Sequence, residues 1–263
     1  MVIDFHGHAY PAALAAKAIK NMRNSGGSLP AYTAGTLSGA LAAADEAGID
    51  ALVLLAIATK PHQHVKINNW AAAAASDRIF PFGSVHPDAP NCFEELERIK
   101  SMGIKGVKFH PEYQNFFVDE PRMRRLYERI GEMGFITVFH VGYDIRYPEP
   151  VRCTPERLAR VLPDFGEADV IAAHLGGYMM HKEAEKHLIG KRVYLDTAYS
   201  WTRMPLPVTK RLIDDHGADK VLFGSDMPWS SPAREKEYIE GLGLSKEDLY
   251  AVLGGNARKL LRI

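Results

Sequence analysis

Short β-rich runs alternate with longer helical patterns along the whole chain, and this alternation most limits what the chain can fold into. Eight runs read as strands: Val2–His6, Ala51–Ile57, Ile79–Val85, Ile104–His110, Phe135–His140, Val170–His174, Val193–Thr197 and Lys220–Ser225. Stretches long enough for helices lie between them, at Pro11–Asn24, Thr36–Ala47, His64–Ser76, Phe93–Met102, Pro121–Met133, Pro155–Leu162, Met180–Leu188 and Pro207–His216. A last helix reads Lys246–Leu261. Local punctuation agrees with these boundaries. Thr154-Pro155 sets an N-cap threonine before a first-turn proline, and Glu120-Pro121 opens a helix the same way. Gly48, Gly103 and Gly134 stand just past helical segments, where a C′ glycine belongs.

Regular strand–helix alternation predicts a parallel sheet with helical crossovers. An open doubly wound sheet and a closed eight-stranded barrel compete for the pattern. A barrel typically needs about 250 residues, and this chain has 263. No Gly-x-Gly-x-x-Gly follows the first strand, so the dinucleotide-binding fingerprint of the open sheet is missing. The expectation is a single α/β domain over residues 1–263, a (β/α)8 TIM barrel.

Composition narrows the function. Hydrophobic residues at 46% and charged residues at 24% describe a chain with an ordinary packed core. Lys+Arg and Asp+Glu both number 32, so no basic excess favours nucleic acid. Cys92 and Cys153 form no CxxC pair, which points to a reducing compartment. The longest apolar stretch, Ala51–Ala58, is far short of the ~20 residues that span a bilayer. No basic, then apolar leader precedes the first strand. A cytoplasmic protein with no nucleic-acid or membrane partner is expected, as a homodimer by the general frequency of that state.

Histidine is the unusual count, at 11. In α/β barrels the active site lies at the C-terminal ends of the strands. His6, His8, His86, His110, His140 and His174 all fall there, as does Asp226. His6-Gly7-His8 places two imidazoles on one face of a strand, and neutral imidazole is a common metal ligand. His140 shares inward parity with Ile136 and Val138 and offers a third nitrogen. Asp226 adds a carboxylate from the last strand, which neighbours the first in a closed barrel. The structural alternatives are core histidines bonded to backbone and an Asp226 that caps a helix. His174, followed by Gly176-Gly177, suits a ligand or a proton carrier. The second H-x-H, His62-Gln63-His64, enters a helix, where i and i+2 diverge; it reads as loop surface. His181 and His187 read as surface residues, and His216 as a favourable helix C-terminus.

Lys108 and His110 share the inward face of the fourth strand, and both are candidates for a second-metal bridge or a substrate contact. Three readings stand for Lys108: a contact to a substrate carboxylate, a carboxylated bridge between two metals, or a buried ion pair, for instance with Asp4. The loops after the strands carry further candidate substrate contacts: Glu112, Tyr113 and Gln114, then Tyr143, Arg146 and Arg152, then Tyr199 and Trp201, and last Trp229. An arginine among them is suited to clamp a carboxylate.

H-x-H on strand one, histidines on strands five and six and an aspartate on strand eight resemble the metal-dependent hydrolases of the amidohydrolase superfamily. Asp4–His8, Gly106–Gln114, Val138–Gly142, Ala173–Gly177, Leu222–Trp229 and Gly254–Leu261 resemble its amidohydrolase-related family, which also contains decarboxylases and lactonases. The resemblance implies one divalent metal, usually zinc, held by His6, His8, His140 and Asp226; manganese, iron or cobalt also suit such donors. It implies that His174 polarises or protonates substrate, or binds a second metal where a carboxylated Lys108 bridges. The implied activity is hydrolysis of an amide, ester or lactone through metal-activated water, with Asp226 moving the proton. Non-oxidative decarboxylation of an aromatic or unsaturated carboxylic acid is the alternative, and a non-catalytic metal-binding barrel the third.

Overall fold

The computed structural model describes residues 1–25, 29–147 and 149–263. Eight strands form: β1 (Ile3–Gly7), β2 (Ala51–Leu55), β3 (Ile79–Phe82), β4 (Gly106–Phe109), β5 (Ile136–Phe139), β6 (Val170–Ala172), β7 (Tyr194–Asp196) and β8 (Val221–Leu222). Each overlaps its expected run. The ladders are shorter than the runs because the chain turns away at the strand ends. After β4, for example, His110 leaves the ladder at φ −132°, ψ 87° and starts a single helical turn, Pro111–Gln114.

Helix punctuation acts as the sequence indicates. Thr154 Oγ1 accepts the Arg157 N–H at 3.2 Å, and Gly48, Gly103 and Gly134 have positive φ. Glu120-Pro121 opens a short 3-10 turn, Pro121–Met123, before the α-helix Arg124–Glu132. The last helix is interrupted by a π-turn at Ala251–Gly255, between Lys246–Tyr250 and Asn256–Leu261. Two helices were not anticipated, Pro111–Gln114 and Pro232–Glu240. The second carries the same signal as Thr154-Pro155: Ser231 accepts the Arg234 N–H, with Pro232 in the first turn.

The chain comprises two compact units. One contains Met1–Leu54, Ser76–Phe80 and Leu195–Ile263. Here β1 pairs parallel with β2, and β7 with β8. Every residue of β1 and β2 is buried, as expected of parallel strands covered on both faces. The Phe5 N–H donates to Phe223 O at 2.7 Å and Asp226 N–H to His6 O at 2.7 Å. These bonds lay the segment after β8 along β1 and bring Asp226 to the H-x-H.

The other unit contains Leu55–Ala75 and Pro81–Tyr194. In it β4 pairs parallel with β5, and β5 with β6. Its core is aromatic. Phe109 and Phe139 stack at 5.4 Å, Tyr127 and Phe165 at 4.6 Å, and all four are buried. This packing holds β4 and β5 in register, so His110 and His140 leave the sheet side by side.

Candidate functional site

In the first unit β1 ends in His6-Gly7-His8, with ring centroids 5.1 Å apart. Asp226 Oδ1 lies 3.6 Å from His6 Nε2 and 3.3 Å from His8 Nε2. Ligand atoms placed tetrahedrally at zinc bonding distance stand roughly 3.3 Å apart. The three side chains therefore fit one divalent metal. His6 Nδ1 is 2.8 Å from Asp196 Oδ2, both residues being buried. A carboxylate on Nδ1 keeps the proton there and leaves the Nε2 lone pair for a metal.

The turn bearing Asp226 is built from behind. Asp4 accepts hydrogen bonds from Ser225 Oγ at 2.5 Å, Ser225 N–H at 2.9 Å and His6 N–H at 3.0 Å. Burial pushes the Asp4 carboxyl up to about 6 against these bonds, with Asp196 adding repulsion. Asp226 is left-handed at φ 66°, a costly conformation for a non-glycine residue that concentrates at functional sites. Its carbonyl accepts the Trp229 N–H at 2.9 Å. It caps no helix, because the next one starts at Ser231-Pro232. Burial and the Asp226 charge push the Tyr10 hydroxyl up to about 12. Glu235 accepts from Ser230 Oγ at 2.6 Å and from the Ser200 and Trp201 N–H groups at 3.1 Å each. Burial pushes its carboxyl up to about 8.

In the second unit three histidines gather at the ends of β4, β5 and β6. His140 Nδ1 is 3.0 Å from His174 Nε2, and His140 Nε2 is 3.1 Å from the Tyr143 carbonyl. His110 stacks on His140 at 4.1 Å with only 7° between planes. His110 Nε2 lies 3.6 Å from Asp144 Oδ2, and its Nδ1 lies 3.6 Å from Glu112 Oε2. Burial pushes the Glu112 carboxyl up to about 7. His174 and Leu175 are both left-handed, at φ 60° and 52°. Lys108, on β4, is buried.

The loop residues differ in where they stand. Glu112 and Gln114, candidate substrate contacts, are buried, because the Pro111–Gln114 turn folds them inward. Glu112 Oε1 accepts the Arg152 N–H at 2.9 Å. The Gln114 amide donates to Ala58 O and Val85 O, and its Oε1 accepts the His110 N–H. Tyr113 stands edge-on to His110 at 4.2 Å. Arg146 is exposed and lies over the Tyr147 ring, while Arg152 reaches Asn115 and the Phe117 ring. Trp229 is buried, and Trp201 donates through Nε1 to Ser230 Oγ. Tyr199 is left-handed at φ 62° and mostly buried. His86 is buried, with Nδ1 accepting the Asp88 N–H. Of the second H-x-H, His62 is exposed, but His64 is buried against Asn91, because helix formation turns it inward. His181 is half-buried, and burial pushes its imidazole down, with the neighbouring His174 adding to the effect.

Sequence reasoning missed Asp196, Asp144, Tyr10 and Glu235 as site residues. Asp196 had a usable signal, since it ends the seventh strand at the level where the histidines end theirs. Asp144 lies four residues past His140 in the same loop. Glu235 had none, because its role depends on backbone groups more than 30 residues away.

Solved structures share this fold. A TIM-barrel protein of unknown function from Bordetella bronchiseptica matches 99% of this chain and 98% of its own, at TM-score 0.78 and 22% identity. A Pseudomonas putida protein provisionally named a 2-pyrone-4,6-dicarboxylic acid hydrolase matches 99% of this chain and 97% of its own, at TM-score 0.69 and 22% identity. A dihydroxybenzoic acid decarboxylase from Polaromonas, solved with manganese and 2-nitroresorcinol, matches 99% of this chain and 96% of its own, at TM-score 0.72 and 14% identity. No curated protein matches the chain in sequence. The fold is the TIM barrel, here with histidines and carboxylates at its strand ends. The amidohydrolase family model matches residues 3–263, and the chain belongs to the amidohydrolase family.

Proposed function

We propose that this protein is a metal-dependent hydrolase that opens an amide, ester or lactone bond of a small molecule. The observation that carries this reading is the meeting of His6, His8 and Asp226 at ligand spacing, with Asp226 in a strained turn. The resemblance gives His140 a ligand's role and His174 a role toward the substrate; both stand in the second unit. His6, His8 and Asp226 would hold a divalent metal, which would supply Lewis acidity and make nearby water more acidic. Asp226 takes the proton from the attacking water and delivers it to the leaving group. Asp196 holds His6 in the Nδ1–H form. Tyr10 keeps its hydroxyl proton at neutral pH, so it serves as a hydrogen-bond donor beside Asp226. His174 stabilises negative charge developing on the attacked oxygen.

Decarboxylation is a second reading, supported by the same histidine–carboxylate chemistry and by the decarboxylase named among the structures of this fold. A substrate panel separates the two. Ester and lactone turnover that consumes base in a pH-stat, stops on chelation and returns with zinc or manganese supports hydrolysis. Carbon dioxide release from aromatic or unsaturated carboxylic acids, with the esters and lactones untouched, replaces it with decarboxylation. Turnover of neither class leaves a non-catalytic barrel. Both cysteines are free and buried, which suits a cytoplasmic enzyme.

A further inference from the structure

We propose that a cleft on the helix Ala12–Ser25 binds a phosphate monoester, with Lys20 and Arg23 on the phosphate and an apolar strip against its organic group. Ala16, Ile19, Lys20, Arg23, Asn24 and Ala34 line this cleft, which measures about 530 Å³. Small-molecule sites run from about 300 to 1,000 Å³. All six residues belong to the first unit, and no step of the proposed hydrolysis uses them.

The charge on this helix is unbalanced. Of the 32 Asp and Glu residues in the chain, none falls between Phe5 and Ala44. Lys17, Lys20 and Arg23 have no carboxylate near them in sequence, and none forms an ion pair among the described residues. By contrast, Arg124 pairs with Glu128 and Lys210 with Asp214, each one turn along its helix. The helix dipole accounts for Arg23, which stands in the last turn. It does not account for Lys20, because the effect fades beyond that turn.

Backbone contacts hold the walls. Gly35 has φ 70°, and a Cβ there would crowd Ile19 Cδ1 at 3.0 Å, so glycine lets this segment close on the helix. The Tyr10 N–H donates to Gly35 O at 2.8 Å, which ties the same segment to the chain leaving His8. Little ordering of the chain then accompanies binding. The donors favour phosphate over carboxylate. Lys20, Arg23 and the Asn24 amide together offer more N–H groups than the oxygens of one carboxylate can accept. A phosphate monoester brings three terminal oxygens and a charge of about −1.5 to −2, which two cations balance. Ala16, Ile19 and Ala34 supply the apolar strip.

Titration of the full-length protein with phenyl phosphate tests this, read residue by residue from backbone amide shifts, with inorganic phosphate and benzoate in parallel. The Ile19, Lys20, Arg23, Asn24 and Ala34 amides are expected to shift saturably. Phenyl phosphate should bind about 10-fold more tightly than inorganic phosphate, which has no organic group to bury, and than benzoate, which carries less charge. Lys20→Gln and Arg23→Gln should each weaken binding by about 10-fold. Lys17→Gln removes an equal charge from the same helix outside the cleft, and should change binding by less than about 2-fold. Equal weakening by Lys17→Gln and Lys20→Gln overturns the site, because diffuse attraction then explains the binding. Equal affinity for phenyl phosphate and benzoate overturns it too, as does the lack of saturable shifts at these amides up to about 10 mM. Shifts confined to His6, His8 and Asp226 place the phosphate at the metal-binding residues; they overturn this site and leave the proposed function standing. The three substituted side chains are exposed, so each variant should fold, and circular dichroism checks that it does.

Discussion

At the scale of single residues, two carboxylates beside the H-x-H do different work. Asp226 faces both imidazoles from a left-handed turn and is placed to move protons. Asp226→Asn keeps the size of the side chain but removes its basicity. Turnover should fall by about 10²- to 10⁴-fold, with circular dichroism and melting unchanged. Substantial retained activity would take Asp226 out of proton transfer. Asp196 is buried and bonds His6 Nδ1, so it acts through His6. Asp196→Ala should weaken metal binding by about 10- to 100-fold in a chelator competition. Asp196→Asn, which retains an acceptor, should weaken it less. In metal-free protein, nitrogen NMR should find His6 in its Nδ1–H form, and Asp196→Ala should lose that preference.

At the scale of elements, Glu235 ties the loop after β7 to the loop after β8. It stands on Pro232–Glu240 and bonds Ser200, Trp201 and Ser230. Its folded pKa of about 8 lies above the ordinary 4.5, so folding favours the neutral acid. The associated stability is complete below about pH 4.5 and is lost as pH rises through 8. Wild type should therefore need less denaturant to unfold at pH 9 than at pH 6, by up to a few kcal/mol. Glu235→Gln cannot ionise and should show a flatter profile. Equal slopes for the two proteins would show that Glu235 does not govern this range. Much at this scale was legible in the sequence. Thr154-Pro155 and the three C′ glycines marked real boundaries, because a cap depends only on neighbouring residues. Ser231-Pro232 carried the same signal and was passed over. The Pro111–Gln114 turn was not legible, because a single helical turn has too few residues to show a period.

At the scale of the whole molecule, a homodimer remains a proposal from the prevalence of twofold association among soluble enzymes. Sedimentation velocity at micromolar concentration should give twice the mass of one chain, and a monomer there would refute it. The eight strand runs, their order and the histidines at their ends follow from local pattern, because period, capping and parity are properties of neighbouring residues. What the histidines meet does not. Asp196 lies 190 positions from His6, and Ser225 lies 221 from Asp4. The sequence by itself determined an α/β chain with imidazoles at its strand ends. Only tertiary packing decided which buried carboxylate stands behind which imidazole, because those pairs form where distant segments are pressed together and excluded from water.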